Sequence, residues 1–295
     1  MKGKQMKANI VLMTVMSLAL VAVAAPKEKK NARPAPIKET TPIARIESAV
    51  RNQPGRGEGI FGEFWWANRF LSRHQQIEAQ KGKTVDLVLV GDSIIHFWEW
   101  KHPASWKQLV GNRTVLNLGY GGDRTENVIW RLTHGELDGY QAKTIVLMIG
   151  TNNNSSSDTK PENVALGVQK CVELIRAKQP QAKLVLHPIF PRGRSAQSKH
   201  HLAAQRRNEQ TNRLLRDWAA TRKDITWVDF NAKLVDQSGW VPREIMADEI
   251  HPTDAGYRIW SDALAPVTGS ATPAAADKQA SSDQAVKKTG KATTK

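Results

Sequence analysis

Five short apolar runs set the limits of what this chain can fold into. They occupy residues 85–90, 115–118, 145–149, 184–186 and 225–228, and each is β-branched or leucine-rich with hardly a polar interruption. A strand with one wet face alternates apolar with polar residues, whereas a strand buried on both faces of a parallel sheet does not. Longer amphipathic segments lie around and between the runs, at 63–80, 124–132, 202–221 and 254–264. Between 149 and 184, Val164, Val168, Cys171, Val172 and Ile175 recur at helical spacing behind a Thr159-x-x-Glu162 capping box. This alternation predicts a doubly wound α/β sheet, with function at the carboxyl ends of the strands.

The ordered domain is read as residues 58–267. Residues 26–57 are rich in Lys, Arg, Pro and Thr and read as a solvated linker with a short helix around 43–50. Residues 268–295 are Ala, Ser, Thr and Lys without apolar period and read as a disordered tail. Residues 1–25 carry Lys2, Lys4 and Lys7, then an apolar stretch at 10–25 broken only by Thr14 and Ser17, with Ala22-Val23-Ala24 as a small-residue cleavage pattern. That is the order of a secretory signal peptide, so the protein is expected to be exported, periplasmic or secreted. The alternative is a retained anchor, for which the stretch is short of the roughly 20 residues a span needs.

The net charge of +15 raises the question of nucleic acid. Residues 1–57 hold +8 of it and residues 268–295 hold +3, leaving only +4 on the domain. A domain-wide basic footprint is therefore excluded, and no nucleic-acid partner is expected. The one cysteine, Cys171, excludes an intramolecular disulfide and a multi-cysteine metal site. It falls on an apolar helical face and reads as a small buried hydrophobe. His200-His201 has no carboxylate at ligand spacing and reads as an exposed loop before a helix. Neither a metal nor another cofactor is expected.

Four polar clusters then fall where a parallel sheet would gather them. Gly91-Asp92-Ser93 follows the first run, Gly119-Tyr120-Gly121-Gly122 the second, and Gly150-Thr151-Asn152-Asn153 the third, while Asp248-Glu249-Ile250-His251 precedes the last helix. Ser93 would stand at a strand-to-helix turn, where backbone N–H groups favour a developing anion. A serine hydroxyl needs a base to take its proton, and His251 is the candidate. Asp248, three residues earlier, can reach the far imidazole nitrogen and fix its tautomer. The backbone N–H groups of Ser93 and Gly122 and the side-chain amide of Asn152 would receive the oxyanion of a tetrahedral intermediate. Each cluster alone is an ordinary turn or cap; the four in order, after successive strands, match what acyl transfer requires.

In these residues the chain resembles the SGNH (GDSL-type) hydrolases, whose four blocks supply Ser93, Gly122, Asn152 and His251 here. Within them it is similar to the catalytic subunits of platelet-activating-factor acetylhydrolase. The segments that carry this likeness are Leu116-Asn-Leu-Gly-Tyr-Gly-Gly-Asp-Arg-Thr125, Trp130-Arg-Leu-Thr-His-Gly-Glu-Leu137, Gly150-Thr-Asn-Asn153, Arg176-Ala-Lys-Gln-Pro-Gln-Ala-Lys183, Pro191-Arg-Gly193 and Asn208-x-x-x-Asn212. The resemblance spans residues 60–265. It implies a three-layer α/β/α, flavodoxin-like fold with a five-stranded parallel sheet, and metal-independent hydrolysis of short acyl esters through an acyl-enzyme. It further implies that Ile94, Thr151 and Ile250 line a small acyl pocket. Many bacterial relatives deacetylate carbohydrates. Two departures stand out: Asn153 replaces the Asp usual in the wider family, though not in the acetylhydrolase branch, and the leader separates this chain from an intracellular enzyme.

The expected partner is a small acylated substrate, a carbohydrate or a lipid ester, with no stable membrane span after leader cleavage. Oligomeric state is left open, a homodimer included. The alternatives are a lipid-directed acylhydrolase and, in another class, a non-catalytic envelope-binding module. Phe97, Trp98 and Trp100 read mainly as packing of the helix after Ser93, with an acyl-pocket or sugar-stacking wall as the other reading; Trp65-Trp66 reads as core or as a cover over the sheet. Arg192 and Arg194 fit equally an anionic-substrate contact or a solvated loop.

Overall fold

The computed structural model describes residues 65–269. The leader at 1–25, the linker at 26–57 and its short helix, and the tail from 270 onward lie outside these residues.

The described elements run α1 (Trp65–Glu78), β1 (Thr84–Gly91), α2 (Ser93–Lys101), α3 (Pro103–Val110), β2 (Val115–Gly119), α4 (Thr125–Thr133) and β3 (Gln141–Met148). They continue with α5 (Thr151–Asn154), α6 (Pro161–Lys178), β4 (Lys183–Leu186), α7 (Lys199–Ala220), β5 (Ile225–Trp227) and α8 (Asp254–Thr268). All five apolar runs are strands. They form one all-parallel sheet in the order β2-β1-β3-β4-β5, as the doubly wound reading predicts.

Both faces of the sheet are covered, which is why the runs lack polar alternation. Along β1, Val88 and Val90 belong to one core and Leu87 and Leu89 to the other. β3 divides likewise, Ile145 and Leu147 facing one way and Val146 and Met148 the other. Cys171 sits fully buried on α6, and burial pushes its thiol pKa far up. His187, also buried, uses both ring nitrogens, one on the Val228 carbonyl at 2.7 Å and one accepting from Trp260 Nε1 at 2.9 Å.

Three expectations need correcting. The capping box at Thr159 does not form: Lys160 is the cap residue, without a side-chain cap bond, and Pro161 starts α6. Proline there has φ preset for a helix and no N–H to satisfy, so a side-chain cap has less to do. His200 and His201 lie in the first turn of α7 rather than in a loop. The last helix continues to Thr268, beyond the expected domain end at 267, and closes on Gly269 at φ +72°.

The sheet order reverses direction at β1, since β2 lies on one side of it and β3 on the other. A crevice opens at such a switch point. The register brings three carboxyl ends level: Gly91 pairs with Gly119 of β2 and with Met148 of β3. The loops carrying Ser93, Gly122 and Asn152 therefore leave the sheet side by side.

Candidate active site

Ser93 opens α2. Asp92 caps that helix by accepting from the Ile94 N–H at 2.9 Å, which leaves the serine side chain out of the capping. Ser93 Oγ lies 2.8 Å from His251 Nε2, although 158 residues separate the two in sequence. His251 Nδ1 lies 2.6 Å from Asp248 Oδ2. The other carboxylate oxygen of Asp248 accepts from the backbone N–H groups of His251 at 2.7 Å and Ile250 at 3.1 Å. Partial burial alone would raise the Asp248 pKa, but the hydrogen bonds from His251 and these two amides outweigh it and hold the carboxyl far below its usual range. The structure thus brings the three residues singled out in sequence into one continuous chain of hydrogen bonds.

Gly122 occupies a left-handed conformation, φ +76°, in the turn after β2. Asn152 Nδ2 donates to the Asp123 carbonyl at 2.8 Å, which ties α5 to the residue following Gly122 and leaves the amide a second N–H. Thr151 and Ile94 are buried and Ile250 is half-buried. Ile94 belongs to the core cluster shared with α8, and its carbonyl accepts from the Tyr257 hydroxyl at 2.6 Å.

Residues 89–259 match the family described as "GDSL-like Lipase/Acylhydrolase family". The chain belongs to that family. It is 32% identical over 205 residues to platelet-activating factor acetylhydrolase IB subunit alpha2 of Homo sapiens, covering 69% of this chain and 83% of that one. Subunit alpha1 of the same species is 32% identical over 191 residues, covering 64% and 78%. Among solved structures, a GDSL-like lipase of Bacteroides thetaiotaomicron shares the fold with a TM-score of 0.56 at 18% identity, covering 68% of this chain and 97% of that one.

The candidate site stands on a buried ionic cluster that sequence reasoning missed. Arg131 Nε donates to Asp123 at 2.9 Å, its Nη1 pairs with Glu136, and its Nη2 reaches the Gly91 carbonyl at 3.3 Å. Glu136 also accepts from the Tyr120 hydroxyl at 2.5 Å, and Asp123 accepts from Trp66 Nε1 at 2.8 Å. One guanidinium thus touches the chain just before Asp92-Ser93 and just after Gly122. The available signal was the segments 116–125 and 130–137 quoted for the resemblance, which hold Tyr120 and Asp123 in the one and Arg131 and Glu136 in the other. Arg131 and Glu136 are fully buried, and such charges persist in a core only when paired.

The buried side chains around Asn153 explain why it stands where the wider family has Asp. Its Oδ1 accepts from the Thr125 N–H at 3.0 Å, and its Nδ2 donates to Glu126 Oε2 at 2.9 Å and Thr125 Oγ1 at 3.1 Å. An aspartate would set a second carboxylate against Glu126 away from water. We expect Asn153→Asp to destabilise the fold by about 2–4 kcal/mol at neutral pH and less as acid protonates the pair. Urea unfolding at pH 7.5 and pH 5 checks this, and equal midpoints for variant and wild type at pH 7.5 would refute it.

The remaining aromatic residues divide between packing and site. Trp98 is core, stacked on Tyr257 and Trp260, and Trp66 covers the sheet beside Tyr120. The Phe97 ring instead borders His251, centroids 4.8 Å apart, while Trp100 is exposed. Arg192 is not in a solvated loop: it is 3% exposed, with hydrogen bonds to Thr151, Ser155 and His201. Arg194 donates to the Met246 and Ala247 carbonyls. Among the described residues no group of three or more His, Cys, Asp or Glu side chains is placed to hold a metal, and no helix is long and apolar enough to cross a membrane.

Proposed function

We propose that this protein is an exported serine esterase that hydrolyses short acyl esters, acetyl esters foremost, on carbohydrate or another small acetylated compound. The observation that carries the reading is the unbroken relay from Ser93 Oγ through His251 to Asp248. Ser93 Oγ attacks the ester carbonyl carbon as its proton passes to His251 Nε2, and Asp248 stabilises the resulting imidazolium. The oxyanion is received by the N–H groups of Ser93 and Gly122 and by the Asn152 amide. Collapse of the intermediate expels the alcohol, protonated by His251, and leaves an acyl-serine. Water, deprotonated by the same imidazole, then releases the acid and restores Ser93.

The small-acyl preference is supported by the relatives named acetylhydrolase, and the resemblance to them is what implies Ile94, Thr151 and Ile250 as lining of an acyl pocket. Export rests on the lysine-led apolar stretch at 10–25. The second reading is a lipid-directed acylhydrolase, favoured by the same relatives, whose name specifies platelet-activating factor.

The test is hydrolysis of p-nitrophenyl acetate, butyrate and octanoate, with a fluorophosphonate used to label the nucleophile and peptide mass spectrometry to locate the label. A steep fall in kcat/KM from acetate to octanoate, with the label on Ser93, is the expected result. Sustained activity on octanoate would transfer the assignment to lipid esters. No hydrolysis and no label would leave the non-catalytic envelope-binding module as the function to pursue.

A further inference from the structure

The loop between β4 and α7 carries Arg192 and Arg194, two residues apart, and each grips a different part of the site. Arg192 Nη1 donates to Ser155 Oγ at 2.7 Å and reaches the Thr151 carbonyl and hydroxyl at 3.5 Å, while its Nε donates to His201 Nδ1 at 3.2 Å. Its own backbone N–H donates to Gln205 Oε1 at 2.8 Å, which moors the loop on α7. Thr151 and Ser155 bracket α5, a four-residue helix too short to hold its own shape, and Asn152 lies inside it.

The next two residues turn to the other side of the site. The Gly193 N–H donates to the Glu249 carbonyl at 3.2 Å, and the Arg194 N–H donates to Glu249 Oε2 at 3.0 Å. Arg194 Nη2 donates to the carbonyls of Met246 at 3.1 Å and Ala247 at 2.9 Å, directly before Asp248. Glu249 lies between Asp248 and His251 at φ +69°, the one described non-glycine residue in the left-handed region. Its anchors on the 193–194 segment hold this turn in a conformation that glutamate does not favour by itself.

We propose that the 191–194 loop is a positioning element for ester hydrolysis, Arg192 acting through Asn152 and Arg194, with Glu249, acting through the Asp248-His251 turn. The inference rests on the serine-esterase reading above. Neither arginine needs to touch substrate. Each fixes a group whose placement within a fraction of an ångström decides the rate, and the shared loop keeps the oxyanion donor and the base in a constant relation.

A double-mutant cycle on p-nitrophenyl acetate tests the first arm, in the full chain. Arg192→Met should lower kcat about tenfold with KM within about twofold, and Asn152→Ala should lower kcat about 10²- to 10³-fold. The double variant should be no slower than Asn152→Ala alone, because Arg192 would have lost the group through which it acts. Multiplying losses would overturn the assignment, as would a rise in KM that carries the whole effect of Arg192→Met. Should Arg192→Met not fold, Ser155→Ala takes its place in the cycle, removing the shortest contact while keeping the arginine.

Glu249→Gly tests the second arm by separating stability from rate. Glycine is at home at φ +69°, so the melting temperature should hold or rise while kcat falls about tenfold. An unchanged kcat would overturn this arm. If wild-type hydrolysis proves independent of Ser93, the esterase reading falls and the inference with it; additive cycles in a Ser93-dependent enzyme refute the inference alone.

Discussion

Replacing Ser93 by alanine is expected to lower kcat for p-nitrophenyl acetate by about 10⁴- to 10⁶-fold while the fold is kept. The rate loss is large because no other group replaces the attacking oxygen. What remains is the modest acceleration that binding and the oxyanion donors give to attack by water. The stability loss is small because Ser93 Oγ makes its hydrogen bond to His251 at the rim of the core, and because Asp92, not Ser93, caps α2. One hydrogen bond of this kind contributes about 1 kcal/mol, a shift of roughly 2–4 °C in melting temperature for a domain of this size. Steady-state kinetics beside thermal unfolding make the check. A variant retaining a tenth of wild-type kcat would show that Ser93 is not the nucleophile.

Asp248→Asn should cost nearly as much, about 10⁴-fold in kcat, and for a reason particular to this turn. The two backbone N–H groups of Ile250 and His251 both point at Asp248 Oδ1 and require an acceptor. The asparagine must therefore turn its carbonyl oxygen toward them, which presents its NH₂ to His251 Nδ1. The imidazole then accepts at Nδ1 and carries its proton on Nε2, facing Ser93, so it has no lone pair with which to take the serine proton. The fold should be kept, with a modest loss of stability at neutral pH because the hydrogen bonds to the ionised carboxyl become neutral ones. Because the lesion is a wrong tautomer, kcat should fall while KM for p-nitrophenyl acetate stays within a few-fold. A kcat within tenfold of wild type would refute the orienting role.

The fold was legible from the sequence where burial on two faces leaves its mark. Runs such as 85–90 and 145–149 can hardly be anything but interior strands, and the turns that follow them had to emerge at one edge. Ser93, Asn152 and His251 were legible as a candidate set because acyl transfer needs a narrow set of residue types, and the first two follow strand ends while His251 stands just before the last helix. The supports were not legible. Arg192 and Thr151 are 41 residues apart, Arg194 and Glu249 55, and neither pair leaves a periodic trace in the chain. A basic residue in a Pro-Arg-Gly-Arg loop looks solvated until the partners that neutralise and hold it are seen. Asn153 was visible as a departure, but its cause, the buried carboxylate of Glu126, belongs to another strand–helix unit. The His200-His201 pair went wrong for a local reason: Ser198, Lys199 and the two histidines resemble a polar loop, whereas the Leu202 N–H donates to the Ser198 carbonyl at 2.8 Å and His201 accepts from Arg192 across the fold.

The glycines that end β1 and β2 bear on how such an enzyme changes over time. A methyl group on Gly91 would collide with the Met148 carbonyl and with Ile95, and one on Gly119 would lie 2.5 Å from the His96 nitrogen. The Gly119 main chain therefore lies against the backbone of α2, the Ile95 side chain fills the space over both glycines, and the height of Ser93 above the sheet depends on the missing Cβ at each. A flexible side chain that shares a core with α2, such as Leu87 or Val146, can give way to another apolar shape by repacking. Alanine at either glycine has no such freedom, because at Gly119 it would wedge α2 away from β2 and at Gly91 it would push β1 off the Met148 carbonyl of β3, each displacing the turn that carries Ser93.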